Sequence, residues 1–310
     1  FSLIRCPCHF IFNYIYTFKW FKDIQLYVYK MAEIVFLNKH TENLAKNSRK
    51  SYLSAHRKLL KIFQCENFEK QTNDELITEI QNYKQSTHSK NVQINILLLL
   101  KREVYGKTIA EFETQREKNN KLILEENKTK SKDSKLYLPK YQELIDHLDV
   151  VYDAGDWRAF IVNYILLNYH TRDMDISLNI ITQKKDINND INYIMLTKKK
   201  ATYVRNQYKT VKTHGPKTSV TEDLRFIEAC HKFLKEVSSS SKGALFPSDN
   251  TNYWVSKSTC GNLGEGNIYK ICVNHFKGDL SKLKYLCESR GSSLDTLVQY
   301  YDLDCDLSDA

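Results

Sequence analysis

The stretch Leu166-Leu-Asn-Tyr-His-Thr-Arg172-Asp-Met-Asp175-Ile-Ser-Leu178 decides the fold. It begins inside the run Trp157 to Tyr169, which is densely apolar and reads as a helix. Beyond Asp175 the pattern changes. Ser177 to Thr182, Ile191 to Thr197 and Ala201 to Asn206 are short and rich in Ile, Tyr and Thr, which suits a small antiparallel sheet. A buried helix that turns a charged corner into strands predicts a mixed α+β domain. The corner itself holds Arg172 and Asp175, three positions apart.

Upstream, Pro139 fits the first turn of another helix, where its missing N–H costs nothing, and Tyr141, Leu144, Ile145 and Leu148 supply its apolar stripe. Between Glu126 and Lys135 no large apolar residue occurs, so burial cannot offset the entropy of ordering; residues 126–137 read as a charged interdomain linker. Before it lie four helical patterns: Asn47 to Gln64, a helix opened by the capping box Thr72-Asn-Asp-Glu75, Ser89 to Tyr105, and Ile109 to Glu125. These make residues 31–125 a small helical domain. Downstream of the strands, Leu224 to Val237 returns to helical spacing, Ser238 to Ser241 is a loop, and two or three helices follow from Gly266. The expected fold is mainly α with a small antiparallel β-sheet, its second domain covering residues 138–310.

The length of 310 residues accommodates two domains, and 42% hydrophobic residues with only 9 Gly and 4 Pro exclude a disordered or collagen-like chain. Lys and Arg outnumber Asp and Glu by 46 to 37, a balance that favours a polyanionic partner through phosphate contacts. The eight cysteines recur at no zinc-site spacing, and Cys6-Pro7-Cys8-His9 has no second half-site; they read as reduced thiols of an intracellular protein without a metal. Residues 1–30 are crowded with aromatics, but Arg5, Lys19, Lys22 and Asp23 interrupt them too early for a membrane span. They read as a leader outside the folded domains.

Breaking and resealing DNA without ATP or metal needs a nucleophile that conserves the phosphodiester energy, which a tyrosine does. It also needs cations to offset charge on the nonbridging oxygens and an acid to protonate the departing 5′-oxygen. The chain offers these parts in order. Arg172 and Asp175 stand at a helix end. Tyr208-Lys209-Thr-Val-Lys212-Thr-His-Gly215-Pro-Lys217 is a lysine-rich hairpin region, and Glu288-Ser-Arg290-Gly291-Ser292-Ser293-Leu294-Asp295-Thr296-Leu-Val-Gln299-Tyr300-Tyr301 ends in two tyrosines.

Those three boxes resemble the tyrosine recombinase, or phage integrase, family, including integrases of mobile elements and large DNA viruses. The resemblance spans about residues 31–305 and implies a helical DNA-gripping core-binding domain followed by a catalytic domain. It implies Arg172 as the first arginine with Asp175 supporting it, and Lys209 as the acid, with Lys212 and Lys217 as alternatives. Counting ten residues from Gly291 reaches Tyr301 as the nucleophile, whereas sliding by one, with Arg290 at the glycine position, selects Tyr300. Lys270 falls where the family's second arginine is expected and Asn267 where the preceding histidine is expected. Ser292 replaces a further histidine, whose phosphate contact would fall to Arg290 or to a water. The implied activity is site-specific recombination through a 3′-phosphotyrosine, by a multimer on double-stranded DNA, with no cofactor. A type IB topoisomerase-like enzyme and a DNA-binding protein that has lost catalysis are the alternatives.

Overall fold

The computed structural model describes residues 32–302 apart from 43, 45, 66 and 238–242, so Cys6 to His9 and the expected leader lie outside the described residues. The chain divides between Glu126 and Asn127 into two compact units.

The first unit is helical: a helix over 32–40 (α1), then α2 (Lys46–Ile62), α3 (Asn73–Asn82), α4 (Thr87–Glu103) and the start of α5 (Ala110–Lys135). The capping box forms as read, Glu75 N donating to Thr72 Oγ1 and Thr72 N to Glu75 Oε2. Ile94, Leu97 and Leu100 of α4 pack with Leu37, Leu59, Phe68, Leu76 and Phe112 into one core. Buried polar groups cross that core. The Glu33 carboxylate accepts from Phe68 N at 3.1 Å, contacts His56 Nε2 at 2.8 Å and takes the Tyr105 hydroxyl. Lys101 donates to the carbonyls of Phe68 and Gln71, and burial pushes its ammonium down to about 8.

The stretch 126–135, expected as an irregular linker, is helix: α5 continues unbroken to Lys135. It contains no Gly or Pro, and its four lysines and Glu126 are good helix formers. Extending an existing helix avoids the cost of nucleating one, so no apolar face is required.

The second unit is built on α7 (Trp157–Tyr169), whose residues 159–167 are all buried. Packed on it are α6 (Tyr141–Asp153), α9 (Leu224–Glu236), α10 (Thr251–Ser258), α11 (Glu265–Phe276) and α12 (Leu280–Arg290), with α13 (Leu294–Tyr301) against α11 and α12. Phe160, Ile165, Phe226, Phe233, Ile268 and Leu286 are among the core residues. Pro139 lies just outside α6 rather than in its first turn: Lys140 is the N-cap, and its N–H is held by Glu143 Oε1 at 2.8 Å.

Four strands form one sheet in the order β1 (Leu178–Ile181), β2 (Asn192–Leu196), β3 (Ala201–Arg205), β4 (Lys217–Thr221). β2–β3 and β3–β4 are antiparallel, but β1 runs parallel to β2, so the sheet is mixed rather than wholly antiparallel. A connection through residues 182–191, with a 3₁₀ turn at Lys184–Asp186, carries the chain back to the start of its neighbour. The lysine-rich region is the β3–β4 connection, and it contains the short helix α8 (Val211–His214).

Candidate active site

The corner after α7 is made by His170, which ends the helix in the left-handed region at φ 47°, ψ 40°. A non-glycine residue there costs roughly 1 kcal/mol. Its ring is packed edge-on to Tyr269 and Tyr285, and burial lowers its pKa to about 4, so it is neutral at physiological pH. The chain then enters a 3₁₀ turn, Asp173–Ile176, with Arg172 as its N-cap; Asp175 Oδ2 accepts from Arg172 N at 3.3 Å. The three-residue spacing thus positions Arg172 through a backbone cap.

From this corner Arg172 Nη1 donates to the backbone carbonyl of Arg290, the last residue of α12, at 2.6 Å. Two further cations reach the same helix end. Arg205 Nη1 donates to Ser289 O at 2.8 Å and lies 3.5 Å from Asp175 Oδ2, while Lys217 Nζ donates to Glu288 O. The carbonyls at a helix C-terminus lack partners within the helix and carry its negative dipole end, so they attract all three. Arg205 and Lys217 are register partners on β3 and β4, and the Tyr208 ring takes both cations, at 5.7 and 5.3 Å from its centroid.

Arg290 is itself buried, its guanidinium over the Tyr269 ring at 4.2 Å and the Tyr301 ring at 5.0 Å. Its Nη2 makes an ion pair with Glu265 Oε2 at 2.6 Å and donates to the Tyr301 hydroxyl at 3.3 Å. Tyr301 is anchored by Asn274 Nδ2, which donates to its carbonyl, and by an edge contact with Tyr269. Gly291 makes the turn from α12 towards α13 at φ 65°, where a β-carbon would collide with Thr210 Oγ1 of the lysine-rich loop.

Four cations, Arg172, Arg205, Arg290 and Lys217, therefore meet three carboxylates, Asp173, Asp175 and Glu265. Burial dominates the electrostatics. It lowers the Arg172 pKa, helped by the Arg290 charge, and lowers that of Lys217, helped by Arg205. Burial raises the Asp175 and Glu265 carboxyls despite the neighbouring arginines, and with the charge of Glu265 it lifts Asp173 to about 6. Among the described residues, buried Arg290 Nε and Nη1 and Arg205 Nε have no hydrogen-bond partner. Unpartnered buried guanidinium N–H groups are suited to an entering anion.

The structure brings together Arg172, Asp175, Lys217, Arg290 and Tyr301. It leaves others apart. Lys209 and Lys212 are exposed on the β3–β4 connection, and Tyr300 is 42% exposed on α13. Lys270 is half-buried on α11 with its pKa lowered by burial, and among the described residues its ammonium has no hydrogen bond or ion pair. Among the described residues the Asn267 side chain forms no hydrogen bond with the cluster, and Ser292 Oγ is buried without one. Arg205, Asp173 and Glu265 were not anticipated. Arg205 left a signal: it occupies an inward position in the alternating burial of β3 at residues 201, 203 and 205, where an arginine needs a carboxylate.

No family model and no curated protein matches the chain. Among solved structures, the crystal structure of XerA recombinase matches over 88% of this chain and 93% of that one, at 10% identity and a TM-score of 0.33. Among the described residues no group of three His, Cys, Asp or Glu side chains could hold a metal ion, and no helix is long and apolar enough to cross a membrane.

Proposed function

We propose that the chain is a tyrosine-type DNA strand transferase that breaks and rejoins duplex DNA in site-specific recombination, with Tyr301 as nucleophile. The observation that carries the reading is the Arg290 contact on the Tyr301 hydroxyl, with Arg172 bonded to the Arg290 carbonyl. A phenol touched by one buried arginine, with a second, half-buried arginine bonded to the same residue, is suited to attack on a phosphodiester.

In this reading Arg172 and Arg290 bind the nonbridging oxygens of the scissile phosphate and offset the charge gathered in the transition state. The Tyr301 oxygen attacks phosphorus, and the 5′-oxygen leaves with a proton from Lys217. That lysine, rather than Lys209, is favoured because its Nζ lies at the α12 terminus and its lowered pKa makes it the stronger acid. Arg205 keeps Asp175 and the α12 terminus in register. A net charge of +9 supports affinity for DNA, and assembly into a multimer on paired sites belongs to the same proposal.

The test is a nicked duplex drawn from the DNA flanking the gene, in which cleavage releases a short strand and traps the protein. A covalent, denaturant-resistant 3′-phosphotyrosyl adduct is expected. Relaxation of supercoils without strand exchange would assign the chemistry to a type IB topoisomerase-like enzyme. Salt-sensitive binding without adduct would indicate a DNA-binding protein that has lost catalysis, the reading favoured by Asn267 and Ser292 standing at the histidine positions.

A further inference from the structure

Tyr301 must lose its phenolic proton as it attacks, and neither Asn267 nor Ser292 can take it. The basic groups around the cluster are few. His170 is enclosed by Tyr269 and Tyr285 and makes no contact with Tyr301. Asp175 Oδ2 holds the Arg172 amide and Arg205, and although Oδ1 has no partner, among the described residues no hydrogen bond or ion pair joins Asp175 to Tyr301 or to the arginine that touches it. Asp173 likewise has no hydrogen bond or ion pair with Tyr301 or Arg290 among the described residues, whereas Glu265, at the start of α11, pairs with the arginine nitrogen that meets the Tyr301 hydroxyl.

From this geometry we infer that Glu265 is the proton acceptor for Tyr301, an assignment that rests on the strand-transfer reading above. Glu265 Oε2 and the Tyr301 hydroxyl flank the same nitrogen, Arg290 Nη2, at 2.6 and 3.3 Å. The carboxylate oxygen is buried and its one polar contact among the described residues is the ion pair with Arg290, so a second lone pair is uncommitted. The Glu265 side chain keeps 18% of its surface exposed, which gives it room to swing towards the hydroxyl. In the forward step the phenolic proton passes to the Glu265 carboxylate and the tyrosine oxygen bonds to phosphorus. The bond from phosphorus to the 5′-oxygen breaks, and that oxygen receives a proton from Lys217. Resealing reverses each transfer, the neutral Glu265 acid returning its proton to Tyr301 and the 5′-hydroxyl returning its own to Lys217.

The groups facing Glu265 set its strength as a base. Burial raises its carboxyl pKa first, Arg290 and Arg172 oppose the rise, and Asp175 adds to it. Asp173 faces the same carboxylate, since Glu265 contributes to its own raised pKa. A carboxyl lifted in this way holds a proton from a phenol better than an ordinary glutamate does.

The experiment is single-turnover adduct formation by the full chain on the nicked duplex, from about pH 5 to 9, for the parent and for Glu265→Gln, Glu265→Ala and Glu265→Asp. A parent rate that falls tenfold per unit on the acid side is expected. Gln and Ala are expected to slow the reaction roughly 10²-fold near pH 8 and remove that acid limb, with Asp partly restoring both and DNA affinity holding within a few fold. Thermal unfolding of each variant separates misfolding from lost chemistry. Unchanged rates, or faster adduct formation with tighter binding in Gln, would overturn the assignment; the second result would make Glu265 a competitor for the phosphate. If the parent itself forms no adduct, the strand-transfer reading fails, a result distinct from failure of Glu265 alone.

Discussion

Arg172 Nη1 donates to the main-chain carbonyl of Arg290 at 2.6 Å, joining residues 118 positions apart. The contact fixes the corner after α7 to the end of α12. With Arg205 on Ser289 O and Lys217 on Glu288 O, three consecutive carbonyls hold three cations from three different elements. Like charges buried together repel one another, and the helix terminus offsets that repulsion before any phosphate arrives.

Arg290 and Lys270 make opposite predictions. Arg290→Ala is expected to lower the adduct-forming rate by roughly 10²–10³-fold, the usual effect of removing a transition-state donor. Arg290→Lys should recover little, because lysine lacks the planar fork. Lys270→Ala should stay within a few fold of the parent. Rates on the nicked duplex, with folding checked by circular dichroism, compare the two.

The tyrosines separate in the same assay. Tyr301→Phe is expected to form no covalent adduct while still binding DNA, whereas Tyr300→Phe should form it at near-parent yield. Peptide mapping of the trapped product identifies the modified residue directly.

Lys217→Ala is expected to slow cleavage by about 10²–10⁴-fold on an ordinary phosphodiester. A substrate with sulfur in place of the bridging 5′-oxygen should restore most of the rate, because a thiolate leaves without a proton. Lys209→Ala should be slowed less and show no such rescue. If Lys209→Ala alone is rescued, the acid lies on the exposed loop instead.

Asp173 gives a pH dependence of stability. Its folded pKa of about 6 lies above its ordinary value of 3.8, so the folded chain holds this proton more tightly than the unfolded chain. The resulting penalty is absent below about pH 4, grows up to about pH 6 and is fully present above it. Asp173→Asn should therefore stabilise the chain near pH 8 by on the order of 1 kcal/mol, with the gain gone below about pH 4. Urea unfolding at the two pH values measures it.

Local patterns made much of this legible in the sequence. The helix at Trp157 to Tyr169, the Thr72 capping box and the strand segments depend on neighbours a few positions apart, and each is found where it was read. Strand periodicity says nothing about direction, so the parallel β1–β2 pair was not visible. The helical continuation of α5 was hidden because an unburied helix and a solvated linker share one composition.

Box spacing offers Arg172, Asp175 and either Tyr301 or Tyr300 as candidates, and the structure draws Arg172, Asp175 and Tyr301 into one cluster; the arginine that touches Tyr301 is not visible in that spacing. Glu265 and Tyr269 are four apart on α11 and share the face turned to Arg290; Lys270, one step further on, is rotated off it. Counting along the chain therefore reached Lys270, whereas the contact is made by Arg290, delivered by the next helix. Arg205 and Lys217 became partners only through the β3–β4 register.

The hold of the α12 terminus also bears on the division of labour between copies. Arg172 grips the residue whose guanidinium touches Tyr301, and Gly291, which begins the turn into α13, abuts Thr210 of the lysine-rich connection. Lending Tyr301 to a neighbouring copy would break its contacts with Arg290 and Asn274. As a corollary of the strand-transfer proposal, each copy in an assembly keeps its own Tyr301 beside its own Arg290.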